Sequence, residues 1–81
     1  MEVRIRLGSG IAQQRLAPML TIELPNDSTV EDLCQRLASS HPELAPVLRS
    51  ALPVVDGAHV PRRQTLAHGD EVALLAPVSG G

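Results

Sequence analysis

The stretch Thr29-Val30-Glu31-Asp32-Leu33-Cys34-Gln35-Arg36-Leu37-Ala38-Ser39-Ser40-His41-Pro42 reads as one amphipathic helix, and its place between two groups of strands decides the fold. Val30, Leu33, Cys34, Leu37 and Ala38 recur at i, i+3, i+4, i+7 and i+8, an apolar stripe suited to lie across a sheet. Thr29 is a natural N-cap, and Glu31 and Asp32 sit where the helix dipole favours negative charge. Pro42 stops the helix, because the residue before a proline is pushed out of helical geometry.

Upstream, Val3, Ile5 and Leu7 alternate with Glu2, Arg4 and Arg6, the pattern of a strand with one buried face. Gly8-Ser9-Gly10 breaks that strand, and Ile11 to Ala17 is compatible with a helical turn before Pro18. Leu20, Ile22 and Leu24 alternate again until Pro25-Asn26-Asp27, so the first two strands form a hairpin with a long connection. Downstream, Glu43 to Arg49 offers a short second helical turn carrying Leu44, Val47 and Leu48. Val54-Val55 then enters Asp56-Gly57, a strong two-residue hairpin signal. Val60 precedes Pro61, Leu66 precedes a turn at His68-Gly69-Asp70, and Glu71 to Val78 is apolar enough for a central strand buried on both faces. A right-handed crossover sets the last strand parallel to the first. The expected fold is α+β: a β-grasp of four or five strands in a mixed sheet, with one main helix across one face.

With 81 residues the chain makes one small domain, spanning 1–81, with a flexible tail at 77–81. It contains no Phe, Tyr or Trp, so Leu, Val, Ile, Met and Ala must fill the core. All 7 basic residues are arginines, the net charge is -2, and no basic stripe points to nucleic acid. Arg62-Arg63 reads as a solvated loop. The single cysteine excludes an internal disulfide framework. Charges interrupt the N-terminal apolar residues as a signal peptide would not allow, and no apolar run approaches the roughly 18–20 residues that span a bilayer. The expected location is the cytoplasm.

Cys34 lies on the apolar stripe and reads as a buried, inert thiol. His41, His59 and His68 lack metal-ligand spacing and fall in predicted loops. Asp56 and Asp70 read as turn residues. No side-chain constellation suggests catalysis, so no intrinsic enzymatic activity is expected. The chemistry points to the end of the chain instead. Gly80-Gly81 follows the hydrophobic run after a single serine, Ser79, and glycine averages about 7% of residues, so a chance terminal pair is expected in roughly one chain in 200.

Leu74-Leu75-Ala76-Pro77-Val78-Ser79-Gly80-Gly81, together with Gly69-Asp70-Glu71-Val72 and the capped helix, resembles the small subunit of molybdopterin synthase and, more broadly, the ubiquitin-like sulfur carriers. The resemblance covers nearly the whole chain. Departures are Gly8-Ser9-Gly10, where that family usually has aromatic residues and a helical segment, Ala76 in place of a second proline, and Pro53 before the third strand. The resemblance implies that an adenylating enzyme uses ATP and Mg to activate the Gly81 carboxylate. A persulfide donor then converts it to a thiocarboxylate, and the large catalytic subunit of the synthase receives the sulfur. The chain itself is expected to bind no cofactor and no metal. Gly80 and Gly81 lack a Cβ and suit a narrow channel. Pro77 stiffens the approach, Ser79 suits the channel entry, and Leu75 and Val78 supply an apolar anchor. Leu74 and Leu75 point to opposite faces, so one belongs to the core. Within the same chemistry, carriers for thiazole, cysteine or tRNA thiolation stay open. So do a protein modifier joined through Gly81 to a target lysine and a plain interaction module. Having no lysine, the chain cannot build lysine-linked chains on itself.

Overall fold

The structure is a computed structural model that describes residues 1–8 and 19–76. The helical turn expected within 11–17 and the tail at 77–81 lie outside the described residues. The elements run β1 (Glu2–Leu7), β2 (Met19–Glu23), α1 (Val30–Ser40), a 3-10 turn (Pro42–Leu44), α2 (Ala45–Leu48), β3 (Leu52–Val55), β4 (Ala58–His59) and β5 (Glu71–Leu75). They form a five-stranded sheet in the order β2-β1-β5-β3-β4. β1 and β5 are parallel and every other pairing is antiparallel. This is the mixed β-grasp sheet the sequence implies, with β5 at its centre.

Local chemistry accounts for each boundary. The Thr29 hydroxyl accepts the Asp32 N–H at 3.2 Å, and the Asp32 carboxylate accepts the Thr29 N–H at 2.9 Å. This reciprocal capping box satisfies two donors that the first turn leaves free. At the other end the His41 N–H donates to the Leu37 carbonyl at 2.8 Å, and Pro42 begins the 3-10 turn. Asp56 (φ 52°) and Gly57 (φ 78°) both take left-handed geometry, as a two-residue type I′ hairpin requires. The Asp70 carboxylate closes its own turn by accepting the Ala67 N–H at 2.8 Å. That turn is tied to β1: the Gly69 N–H donates to the Glu2 carbonyl at 2.8 Å, and the Arg4 N–H donates to the Asp70 carbonyl at 2.9 Å. These bonds set the parallel register Arg4↔Glu71 through Leu7↔Leu74.

The core joins Val3, Ile5 and Leu7 of β1 to Val72 and Leu74 of β5, and to Val30, Leu33, Cys34 and Leu37 of α1. Leu44 and Leu48 close it from the short helical turns. Leu20 and Ile22 are only half-buried, because β2 is an edge strand.

Four expectations need correction. β5 is not buried on both faces: Val72 and Leu74 are buried, Ala73 is half-buried and Leu75 is exposed. The core lies on one face of the sheet, so even its central strand keeps a solvent-facing side. Within the described residues β5 ends at Leu75, and the part of the expected strand at Pro77 and Val78 lies outside them. His59 belongs to β4, not to a loop. Pro53 lies inside β3, opposite Leu74. A residue's N–H and C=O face the same neighbour in an antiparallel ladder. Pro53 turns its carbonyl away from β5, to accept the Val60 N–H at 3.2 Å. Its missing N–H therefore falls on the side where the two-residue β4 has already ended, and no bond to β5 is lost.

Arg62 is the fourth. It is an anchor rather than a solvated loop residue. Its guanidinium donates to Glu31 Oε1 at 3.2 Å, to the Leu48 carbonyl, and to the Ala51 carbonyl at 3.2 Å. Its own carbonyl accepts the Glu31 N–H at 2.9 Å. One side chain thus joins the start of α1, the end of α2 and the entry to β3. Arg62→Ala strands those carbonyls and is expected to cost about 1–3 kcal/mol, read as a lowered urea midpoint with an unchanged m value. Arg62→Lys recovers only part of this, because an ammonium cannot span the same fork of acceptors.

Candidate functional site

The candidate site is the place where β5 leaves the sheet. Two neighbouring strands grip its end. The Gly8 N–H donates to the Leu74 carbonyl at 2.9 Å, and Leu52 and Pro53 of β3 pair with Leu75 and Leu74. The approach at Gly8 is close: a Cβ there would lie 3.2 Å from the Leu74 carbonyl oxygen and 3.3 Å from Leu75 Cδ2, so a larger residue makes one of them give by a few tenths of an ångström. Leu74 is fully buried, Leu75 is 39% exposed, and Ala76 packs back against the core. The sequence places one of the two leucines in the core, and the structure identifies it as Leu74.

Around this exit the open sheet face is apolar. Met19, Leu52 and Leu75 are the exposed large hydrophobic residues among those described. The register puts all three on the same face, because Arg6 stands between Met19 and Ala73, and Leu75 follows Ala73 by two residues. Arg6 stands between Met19 and the β5 side of this face and is paired with Glu71, with both Nε and Nη2 of Arg6 at 3.0 Å from Glu71 Oε1. Leu52 is a member that the sequence does not single out. The run Leu52-Pro53-Val54-Val55 is apolar throughout and carries no local signal for it; the pairing with Leu75 reveals it.

The remaining candidates are dispersed. Cys34 is buried under α1, and desolvation by burial pushes its thiol above the usual range despite the opposing influence of the Arg62 guanidinium. His41 Nδ1 lies 3.6 Å from Glu43, and His68 Nδ1 accepts the Glu2 N–H at 3.0 Å. Asp56 and Asp70 serve their turns. Pro77, Val78, Ser79, Gly80 and Gly81 lie outside the described residues. Covalent geometry still bounds their reach, since five extended residues beyond Ala76 span at most about 17 Å.

Residues 11–81 match the ThiS family, and the match runs through Gly80 and Gly81. The chain belongs to the ThiS family. Relatives of this ThiS-family protein include the molybdopterin synthase sulfur carrier subunit of Chlamydomonas reinhardtii, 35% identical over 63 residues that cover 75% of this chain and 76% of the relative. Among solved structures, SAMP1 from Haloferax volcanii superposes with a TM-score of 0.85 at 26% identity and full coverage of both chains. A chain from the complex of subunits 1 and 2 of the molybdopterin-converting factor of Helicobacter pylori gives a TM-score of 0.70 at 23% identity, again with full coverage of both. No helix among the described residues of this ThiS-family chain is long and apolar enough to cross a membrane.

Proposed function

We propose that this chain is the sulfur carrier subunit of a molybdopterin synthase, working in the cytoplasm with its Gly81 carboxylate as the loading point. The observation that carries the reading is β5. A strand locked at the centre of the sheet delivers Leu75 and Ala76 to an apolar edge, directly before a segment that belongs to the ThiS match as far as Gly81. Family membership and the naming of the algal relative support the sulfur-carrier role.

A carboxylate is a poor electrophile and needs activation. An adenylating enzyme with Mg-ATP lets a Gly81 oxygen attack the α-phosphorus, expelling pyrophosphate and leaving an acyl-adenylate. The terminal sulfur of a persulfide attacks the acyl carbon and AMP leaves. A thiol then attacks the donor-side sulfur of the acyl disulfide, forming a disulfide with the donor and releasing the thiocarboxylate as leaving group. Two glycines keep the acyl carbon free of side-chain obstruction. The reach of about 17 Å lets it enter a partner's pocket while the folded domain stays outside.

A large catalytic subunit is the receiving partner, and the Met19–Leu52–Leu75 patch is where it docks. A structural neighbour of the same fold is a chain from a complex of subunits 1 and 2 of a molybdopterin-converting factor, which supports a second subunit as partner. Leu75→Asp leaves the core untouched and is expected to change stability by less than about 1 kcal/mol. It weakens binding to the large subunit by at least about tenfold, measured by calorimetric titration. Transfer itself is tested by mixing the thiocarboxylated chain with the large subunit and a dithiolene precursor. The reading predicts return to the carboxylate mass together with dithiolene formation, and retention of the sulfur would count against it.

The likeness to SAMP1, a small archaeal modifier protein, favours a second reading in which Gly81 is joined to lysines of other proteins. Covalent adducts on other proteins, formed in a lysate with ATP, would support it.

A further inference from the structure

The open face of the sheet carries charge as well as apolar surface, and the charge is sorted. β1 presents Arg4 and Arg6, both exposed and on one face because alternate residues of a strand point the same way. β5 presents Glu71 beside them, and the β3–β4 turn adds Asp56 beyond it. Arg4 is directly opposite Glu71 in the register, and Arg6 holds the same carboxylate through Nε and Nη2, both at 3.0 Å from Oε1. The strand order β2-β1-β5-β3-β4 therefore sets two cations on one side of a line and two anions on the other. Glu2 and Glu23 stand opposite each other at the far end of β1 and β2. Four residues separate Glu2 from Arg6, about 13 Å of extended strand, so this acidic end lies away from the exit of β5.

Both halves of the pattern are open to a partner. Arg6 is already ordered by Glu71, so holding it in an interface costs little further side-chain freedom. Its two contacts converge on a single oxygen and its side chain is 62% exposed, which leaves N–H donors for a second carboxylate. The anionic half borders a recess of about 310 Å³, lined by Arg6, Val54, Asp56, Gly57, Glu71 and Ala73. Val54 and Ala73 pair with each other across β3 and β5 and give it an apolar base. A long cationic side chain fits such a recess, its methylene stem on apolar surface and its head among carboxylates.

We propose that the large subunit docks on this face with the opposite pattern, a carboxylate over Arg4 and Arg6 and an arginine or lysine in the recess beside Asp56 and Glu71. This rests on the docking role proposed above and deepens it. Apolar contact through Met19, Leu52 and Leu75 is non-directional, so it tolerates a partner turned in the plane of the sheet. A sorted charge pattern does not, because in a turned complex like charges meet on a desolvated surface. The pattern fixes the angle at which the domain sits, and with it the direction in which the chain leaves Ala76.

The test inverts the pattern without changing its sum. Arg6→Glu/Glu71→Arg keeps an ion pair, the net charge of -2 and every apolar residue, and exchanges the two signs. The melting temperature should move by no more than a few degrees. Affinity for the large subunit, measured by calorimetric titration, should fall at least about 30-fold. Asp56→Asn removes one anion and keeps a residue favoured in a type I′ turn, so its fold is secure. Its affinity should fall about three- to tenfold, with a weaker dependence on salt.

A crosslink reads the partner's carboxylate directly. The sequence has no lysine, so Arg6→Lys introduces the one lysine side chain of the chain. Glu71→Gln is added to remove the neighbouring carboxylate. A carbodiimide should then join the new amine to a carboxylate of the large subunit, forming an amide as the reagent takes up water, and fragmentation should place the bond at position 6.

Natural affinity in the inverted variant overturns the proposal. So does a complex of the lysine variant that gives no crosslink at position 6. Should the inverted variant lose its fold, Asp56→Asn decides, and natural affinity with natural salt dependence there overturns the proposal. A natural chain that does not bind the large subunit at all overturns the synthase reading, and this proposal with it.

Discussion

Deleting Gly81, or adding one residue after it, abolishes thiocarboxylate formation and leaves the melting temperature unchanged. Deletion shortens the reach of the reacting carbon by about 3.4 Å, and an added residue brings a Cβ to a terminus that otherwise has none. Displacements near 1 Å already cost about 100-fold when a reacting atom must meet a fixed site. A loss of at least about 100-fold in the rate of loading is therefore expected. Stability should not follow, because among the described residues the last buried core member is Leu74, seven positions before Gly81. Intact mass reports loading and thermal circular dichroism reports the fold. Normal loading of the shortened chain would remove the terminal glycine from the account.

Ile5→Ala should come close to unfolding the protein. Ile5 is fully buried in β1, the strand between β2 and β5, and cutting it to alanine leaves a cavity costing about 2–5 kcal/mol. An 81-residue domain has only about 4–12 kcal/mol in total. The core has no aromatic ring to offer spare contact area. The expected drop in melting temperature is about 10–30 °C. With no Trp or Tyr to report fluorescence, circular dichroism is the probe of choice. A drop of only a few degrees would show that the site collapses around the missing methyl groups.

The architecture was legible because its local signals agree with one another. Thr29, Pro42 and the stripe from Val30 to Ala38 define α1 to the residue. Asp56-Gly57 defines the β3–β4 hairpin, and Gly69-Asp70 defines the turn that places β5 beside β1. What was hidden depends on tertiary placement. β5 reads as buried on both faces because Ala73 and Leu75 are apolar, yet they face solvent at the edge where a partner is proposed to dock. Arg62 gives no local signal at all. Its acceptors are 31, 14 and 11 residues away in the sequence, and only the folded chain gathers them. Leu52 joins the patch only through its pairing with Leu75. The chemistry of Gly81 rests on the terminal sequence and on family membership, while the structure contributes the exit that leads to it.

The most direct measurement is the intact mass of the purified chain after incubation with its adenylating enzyme, Mg-ATP and a persulfide donor. The account predicts the gain expected for one oxygen replaced by sulfur, located at Gly81 by fragmentation. An unchanged mass under conditions that support ATP–pyrophosphate exchange, or sulfur located at Cys34 instead, would contradict it.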